Sequence, residues 1–239
     1  MVNSSQFSYI SQKGAFKRIN AGAAVITPNR RLALTFKTQF NSHQVQQKIA
    51  VWHTADVVPF AAFIERAYLD ALYRANTCLP FLLSPIQEQA LWEEIIQFSK
   101  IGKTLLKIPQ TAQLVKEAWQ LMHAWHLMPF IENQFWNDDI RAFLEWAESY
   151  RAATGHAQQL DHARICDFIS EHYASLGIKK ISTLICHGFD VFTPQQLTFF
   201  DTLRDYGCEV VILHSGIADY QHLENAQFCE FASSLDEIH

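Results

Sequence analysis

Residues 181–214 read ISTLICHGFDVFTPQQLTFFDTLRDYGCEVVILH, and this stretch decides the fold class. Ile181 to Phe189 make an apolar run of strand length, and Thr193-Pro194-Gln195-Gln196 is a capping box with proline at the first helical position. That signature opens a helix through Leu203, Gly207 closes it, and Cys208 to His214 form a second apolar run at once. Strand, helix and strand with short links read as a parallel βαβ unit, because a helical crossover returns the chain to the same end of a sheet.

Working outward, AGAAVITPNRRLALTFKTQF at residues 21–40 has the same form. Ala23 to Ile26 are a buried strand, and Thr27, Pro28 and Asn29 lead into an amphipathic helix that opens with Arg30 and Arg31. A short strand is expected around Ile49 to Trp52, then a helix with Phe60, Phe63, Ile64, Ala67, Ala71 and Leu72 on one face. The next hundred or so residues read as helices only. Ser84-Pro85-Ile86-Gln87 is a second capping box, opening a helix through Leu91 and Ile95. Apolar stripes follow at Leu114, Ala118, Leu121 and Trp125, at Phe143, Ala147 and Tyr150, and at Cys166, Ile169 and Tyr173. The expected architecture is α/β: a parallel-sheet domain built from residues 1–75 and 178–239, with an all-helical domain, 76–177, inserted into it.

Composition excludes several classes. A chain of 239 residues with 49% hydrophobic and 18% charged residues has ample material for a core and is too apolar for disorder. No apolar run reaches the roughly 20 residues of a membrane span, and the first residues lack the unbroken apolar segment of a secretion signal. The reading is a cytoplasmic protein. Its five cysteines, Cys78, Cys166, Cys186, Cys208 and Cys229, form no CxxC pair and read as reduced core thiols. A net charge of −5 excludes a surface that grips nucleic acid everywhere, so any such contact is local.

The catalytic motifs are incomplete. Gly102-Lys103-Thr104 resembles the tail of a phosphate loop, but Gln97 stands where that loop needs glycine and a helix precedes it. His123 and His126 lie three apart on a helix without a third ligand in reach of sequence reasoning, so no metal is expected. Trp92, Trp119, Trp125, Trp136 and Trp146 fall at helical spacing and read as core, not as a base-stacking platform.

Two segments carry a family resemblance. ITPNRRLALTFKTQF resembles the strand, turn and helix of motif Ia in UvrD-like superfamily 1 helicases, which touches single-stranded DNA. LICHGFDVFTPQQLTFFDTL resembles their Walker B region, with His187 in place of the magnesium-binding Asp and Gly188 in place of the catalytic Glu. No glycine-rich loop ending in Lys-Ser/Thr precedes Ile26, so the first helicase strand and its loop read as missing. With TPNRRLA, LLSPIQEQALWEEII and EAWQLMHAWHL, the chain resembles a bacterial group of inactivated superfamily 1 helicases and DNA repair proteins related to AddB and RecC.

The resemblance implies a RecA-like domain with a degenerate nucleotide site, no cofactor and no ATPase activity. It implies contact with single-stranded DNA through Thr27, Asn29, Arg30 and Arg31, with Asp190, Gln195 and Gln196 on the neighbouring turn. The partners it implies are DNA and a helicase–nuclease subunit, and any nuclease activity would lie in a further C-terminal domain. Two rival readings differ in kind. One is an interaction scaffold that docks a partner subunit without touching DNA, and the other a small-molecule α/β enzyme with a helical lid. Phe228 to Phe231 read as a strand and Ser233 to Asp236 as the opening of a helix. The chain is therefore expected to be a fragment that self-associates through an exposed apolar surface.

Overall fold

A computed structural model describes residues 7–74, 78–131 and 137–214. Five parallel strands form the central sheet, in the order β1-β7-β6-β2-β3. They are β1 (Ser8–Ile10), β2 (Ala24–Thr27), β3 (Val57–Pro59), β6 (Thr183–His187) and β7 (Glu209–Leu213). A separate two-stranded parallel ladder pairs β4 (Phe81–Leu82) with β5 (Gln159–Leu160). The helices are α1 (Gln12–Asn20), α2 (Arg30–Gln46), α3 (Phe60–Arg74), α4 (Pro85–Phe98), α5 (Ile108–Ala124), α6 (Met128–Ile131), α7 (Asp138–His156), α8 (Ile165–His172) and α9 (Pro194–Asp205).

Alternation along the strands explains the layers. Leu184 and Cys186 of β6 join Ala24 and Ile26 of β2 in one core with residues of α3, α8 and α9, such as Phe63, Ile169 and Phe199. The residues between them, Val25, Ile185 and Val211, point into a second core with Ala15, Phe16, Phe36 and Phe40 of α1 and α2. Both faces are covered, which is why these strands are continuous apolar runs. A third core lies wholly within the helical segment, where Trp92, Trp119 and Tyr150 of α4, α5 and α7 pack together.

Several expectations are corrected. The second strand lies at Val57–Pro59, not at Ile49 to Trp52, which is irregular. Pro59 can end that strand because β3 is a sheet edge. A strand does precede β2: Ser8–Ile10 pairs with Ser8↔Val211 to Ile10↔Leu213, and a single residue, Ser11, joins it to α1. Its three residues form no apolar run, so pairing with β7 creates the strand. The helical stripe on α5 is rotated by one residue. Ala112, Val115, Trp119 and Met122 are buried, whereas Leu114 is 66% exposed, Leu121 57% and Trp125 41%. The apolar face of α8 belongs to the sheet's core and not to that of α4, α5 and α7, since Cys166, Ile169 and Tyr173 share the core of α3 and α9. Cys78 is exposed, while Cys166, Cys186 and Cys208 are buried thiols, and burial pushes Cys186 up to about 12 and Cys208 to about 11. Cys229, Trp136 and the readings at residues 228–236 lie outside the described residues.

Buried charges fasten the loop before α8 within the helical segment. Glu88 on α4 accepts the His162 backbone N–H at 2.9 Å, and its carboxylate is 2.5 Å from His162 Nδ1 and 3.1 Å from Lys116 Nζ. Asp161, 1% exposed, accepts from the Arg164 guanidinium and backbone and from Trp119 Nε1 at 3.2 Å. A buried carboxylate is tolerated only when satisfied in this way. The loop before α8 is thereby held against α4 and α5.

Candidate nucleic-acid interface

The winding of the sheet selects one crevice. From β1 to β2 and from β2 to β3 the chain moves toward the β3 edge with α1 and α2 on one face; from β6 to β7 it moves the other way with α9 on the opposite face. The strand order therefore reverses between the adjacent strands β2 and β6. In open α/β sheets, the carboxyl ends of strands at such a reversal form the usual ligand crevice. The turns after β2 and β6 are residues 28–29 and 188–193, so the two segments singled out from sequence meet at one rim.

Asn29 and the arginines sit where expected. Asn29 is the N-cap of α2: its Oδ1 accepts the Leu32 N–H at 2.9 Å, with extended backbone at φ −150°. Arg30 and Arg31 fill the first turn, exposed, and among the described residues neither makes an ion pair. Two cations at a helix N-terminus oppose the helix dipole, so they do not serve the helix itself. Thr27 differs, because it is fully buried and its Oγ1 donates to the Asn29 carbonyl at 2.9 Å. It shapes the turn and offers no surface.

The turn after β6 is less open. Gly188 has φ +74°, and a Cβ there would run into the Leu32 side chain of α2. His187 packs its ring 4.6 Å from Phe36, burial lowers its pKa, and its Nδ1 has no hydrogen-bond partner among the described residues. Leu32 and Phe36 thus close the α2 side of the crevice. The expectation that Gln195 lies on the rim is not met: it is 8% exposed, and its Nε2 donates to the Ala163 carbonyl at 2.8 Å and to Asp167 at 2.9 Å. Gln196 is spent on the cap, its Oε1 accepting the Thr193 N–H at 3.0 Å. Asp190 is exposed.

Sequence reasoning missed Lys37. With Arg30, Ala33 and Leu34 it lines one wall of a groove of about 340 Å³ whose other wall is Val57, Val58, Pro59 and Ala62. The groove runs from the rim over the β3 edge, and Lys37 makes no ion pair among the described residues. The spacing of Arg30 and Lys37, seven apart and so on one helical face, was the available signal.

The remaining candidates are structural. Gly102 is buried in a 3₁₀ turn where a Cβ would meet the Ile96 carbonyl, so close packing against the end of α4 explains that glycine. His123 and His126 both face Asp167, at 3.5 and 3.7 Å, and tie α5 to α8. Among the described residues, no group of three or more His, Cys, Asp or Glu is placed to hold a metal ion. No described helix is long and apolar enough to cross a membrane.

Compared with known proteins, the chain matches no family model and no curated protein sequence.

Proposed function

We propose that this chain is a non-catalytic, helicase-like module that binds single-stranded DNA and acts as a scaffold in a bacterial repair or recombination nuclease. On this reading the parallel sheet is a RecA-like domain with a degenerate nucleotide site, and α4, α5 and α7 form the core of an inserted helical domain. The observation that carries it is the row of Arg30, Arg31 and Lys37 at the β2 rim, cations without ion-pair partners among the described residues, on a chain of net charge −5. Nucleic-acid affinity arises from such phosphate-facing cations, and a groove lined by Leu34 and Val58 between them offers apolar contact to a base.

Phosphoryl transfer needs loop amides and a lysine around the phosphates and carboxylates around the metal. Ser11 alone links β1 to α1, and Gly188 follows His187 at the end of β6, so on this reading neither a glycine-rich loop nor an acidic pair stands at these strand ends. Neither tight ATP binding nor magnesium-dependent turnover is expected, and micromolar ATP binding by calorimetry would contradict this. The DNA arm is tested by titrating a fluorescent oligonucleotide at several salt concentrations; affinity that does not fall with salt argues against phosphate contact.

The scaffold reading has one observation in its favour. Leu114, Leu121 and Trp125 leave an apolar stripe of α5 exposed, which suits docking of a partner subunit.

A further inference from the structure

On the helical segment, a groove of about 920 Å³ runs between α5 and α7. Both helices pack against α4, yet no α4 residue lines the groove, so the furrow stands open where a further helix of a bundle would lie. Its floor holds Val115, Ala142 and Trp146, all buried, and its sides include Leu114, 66% exposed, and Ile101, 36% exposed. An apolar furrow between two helices, with no strand edge in its lining, fits an amphipathic helix and not an added strand.

Charge narrows the occupant further. The charged residues of the lining are Asp138, Asp139, Arg141 and Glu145, all on α7, and Arg141 pairs with Asp138. The Asp139 and Glu145 carboxylates are left without ion-pair partners among the described residues. Asp139 lies in the first turn of α7 and complements its dipole, but Glu145 lies beyond the reach of that effect. A cationic occupant suits this wall. Residues 215–239 of the chain itself carry Asp219, Glu224, Glu230, Asp236 and Glu237 and no Lys or Arg, so they would set like charges against it. A second copy, with net charge −5, is disfavoured in the same way.

We propose that the groove between α5 and α7 docks a basic amphipathic helix of a partner protein. The apolar face of that helix fills the furrow over Val115 and Trp146, and its Lys or Arg residues lie beside Asp139 and Glu145. This names the kind of partner for the scaffold reading, rests on that reading, and involves none of Arg30, Arg31 and Lys37.

Three labelled peptides of about five helical turns serve as probes. One is built of Leu and Lys with Leu on a single helical face, one has Glu in place of every Lys, and one scrambles the Leu/Lys order. Fluorescence anisotropy with the 239-residue chain at physiological salt is expected to show saturable binding of the first, about tenfold tighter than either control. Leu114→Asn weakens it about tenfold. Asp139→Asn with Glu145→Gln narrows the gap between the Lys and Glu peptides. Leu121→Asn, on the exposed stripe of α5 outside the groove, leaves binding unchanged. All these side chains are exposed, so the thermal midpoints of the variants are expected to stay close to that of the parent.

No saturable binding, equal binding of the three peptides, or a Lys preference that survives the carboxylate variant overturns the proposal. Binding lost in Leu121→Asn but kept in Leu114→Asn overturns it too, while leaving the scaffold reading in place on the outer stripe of α5. Light scattering that shows a dimer dispersed by Leu114→Asn would make a second copy the occupant, and tighter binding of a synthetic 215–239 peptide would make it that segment; either result also overturns the proposal.

Discussion

Gly188 at the end of β6 lies directly beneath Leu32 in the first turn of α2, with a positive φ and no room for a Cβ. This contact joins the two turns of the switch-point crevice and fixes how far α2 stands from the sheet. Gly188→Ala must strain the backbone and displace Leu32 together. It is expected to cost about 1–3 kcal/mol in urea unfolding, while Gly207→Ala, where a Cβ meets nothing within 4 Å, is expected to cost less. Equal losses would show that Leu32 yields freely.

The arginines predict a different signature from the buried rim residues. Arg30→Ala with Arg31→Ala leaves folding intact, since both are exposed, and lowers the salt slope of DNA binding by roughly one unit per lost phosphate contact. Gln195→Ala removes two hydrogen bonds that fasten α9 to α8, so it lowers stability by about 1–3 kcal/mol. Its DNA affinity per folded molecule is expected to be unchanged. A Gln195 variant that folds normally yet binds DNA less tightly would place that amide on the interface.

The Glu88–His162 pair makes stability depend on pH. Hydrogen bonding to Glu88 raises the His162 pKa above 6.5, with burial opposing it. Burial pushes Glu88 up, but the bonds from His162 and Lys116 outweigh it and leave its pKa below 4.5. The His162 contribution is full below about pH 6.5 and is lost as pH rises through its raised pKa; the Glu88 contribution is full above about pH 4.5 and is lost as pH falls through its lowered pKa. The pair therefore contributes most between about pH 4.5 and 6.5. His162→Gln should flatten the decline toward pH 8 in urea midpoints, and an unchanged decline would assign it to other groups.

His187 acts with the opposite sign. Burial lowers its pKa, so between that value and 6.5 the unfolded chain takes up a proton that the native state refuses. His187→Phe is expected to remove this acid-side loss, and His187→Asp, which places a carboxylate against Phe36, to destabilise by more than about 1 kcal/mol.

Neighbouring residues on α5 test its rotation. Met122→Ala should cost about 2–5 kcal/mol and Leu121→Ala less than about 0.5, because Met122 is buried and Leu121 faces outward. Comparable losses would mean that Leu121 is covered in solution.

Elements whose chemistry is local could be read from the order of residues alone. The capping boxes at Ser84 and Thr193 and the apolar runs of β2, β6 and β7 were legible because each depends on residues within one or two turns. The other elements depend on contacts between distant segments. Ser8–Ile10 becomes a strand through its partner β7, and α5 buries Trp119 instead of Leu121 because Trp92, Tyr150 and Asp161 meet that face. Both stripes on α5 are apolar at helical spacing, so periodicity alone carried no information about which one the core would take. The candidate rim divided the same way: Arg30 and Arg31 were readable as exposed charges at a helix start. The burial of Gln195 and the contact of Leu32 on Gly188 depend on how separate elements pack, which no spacing within one segment encodes.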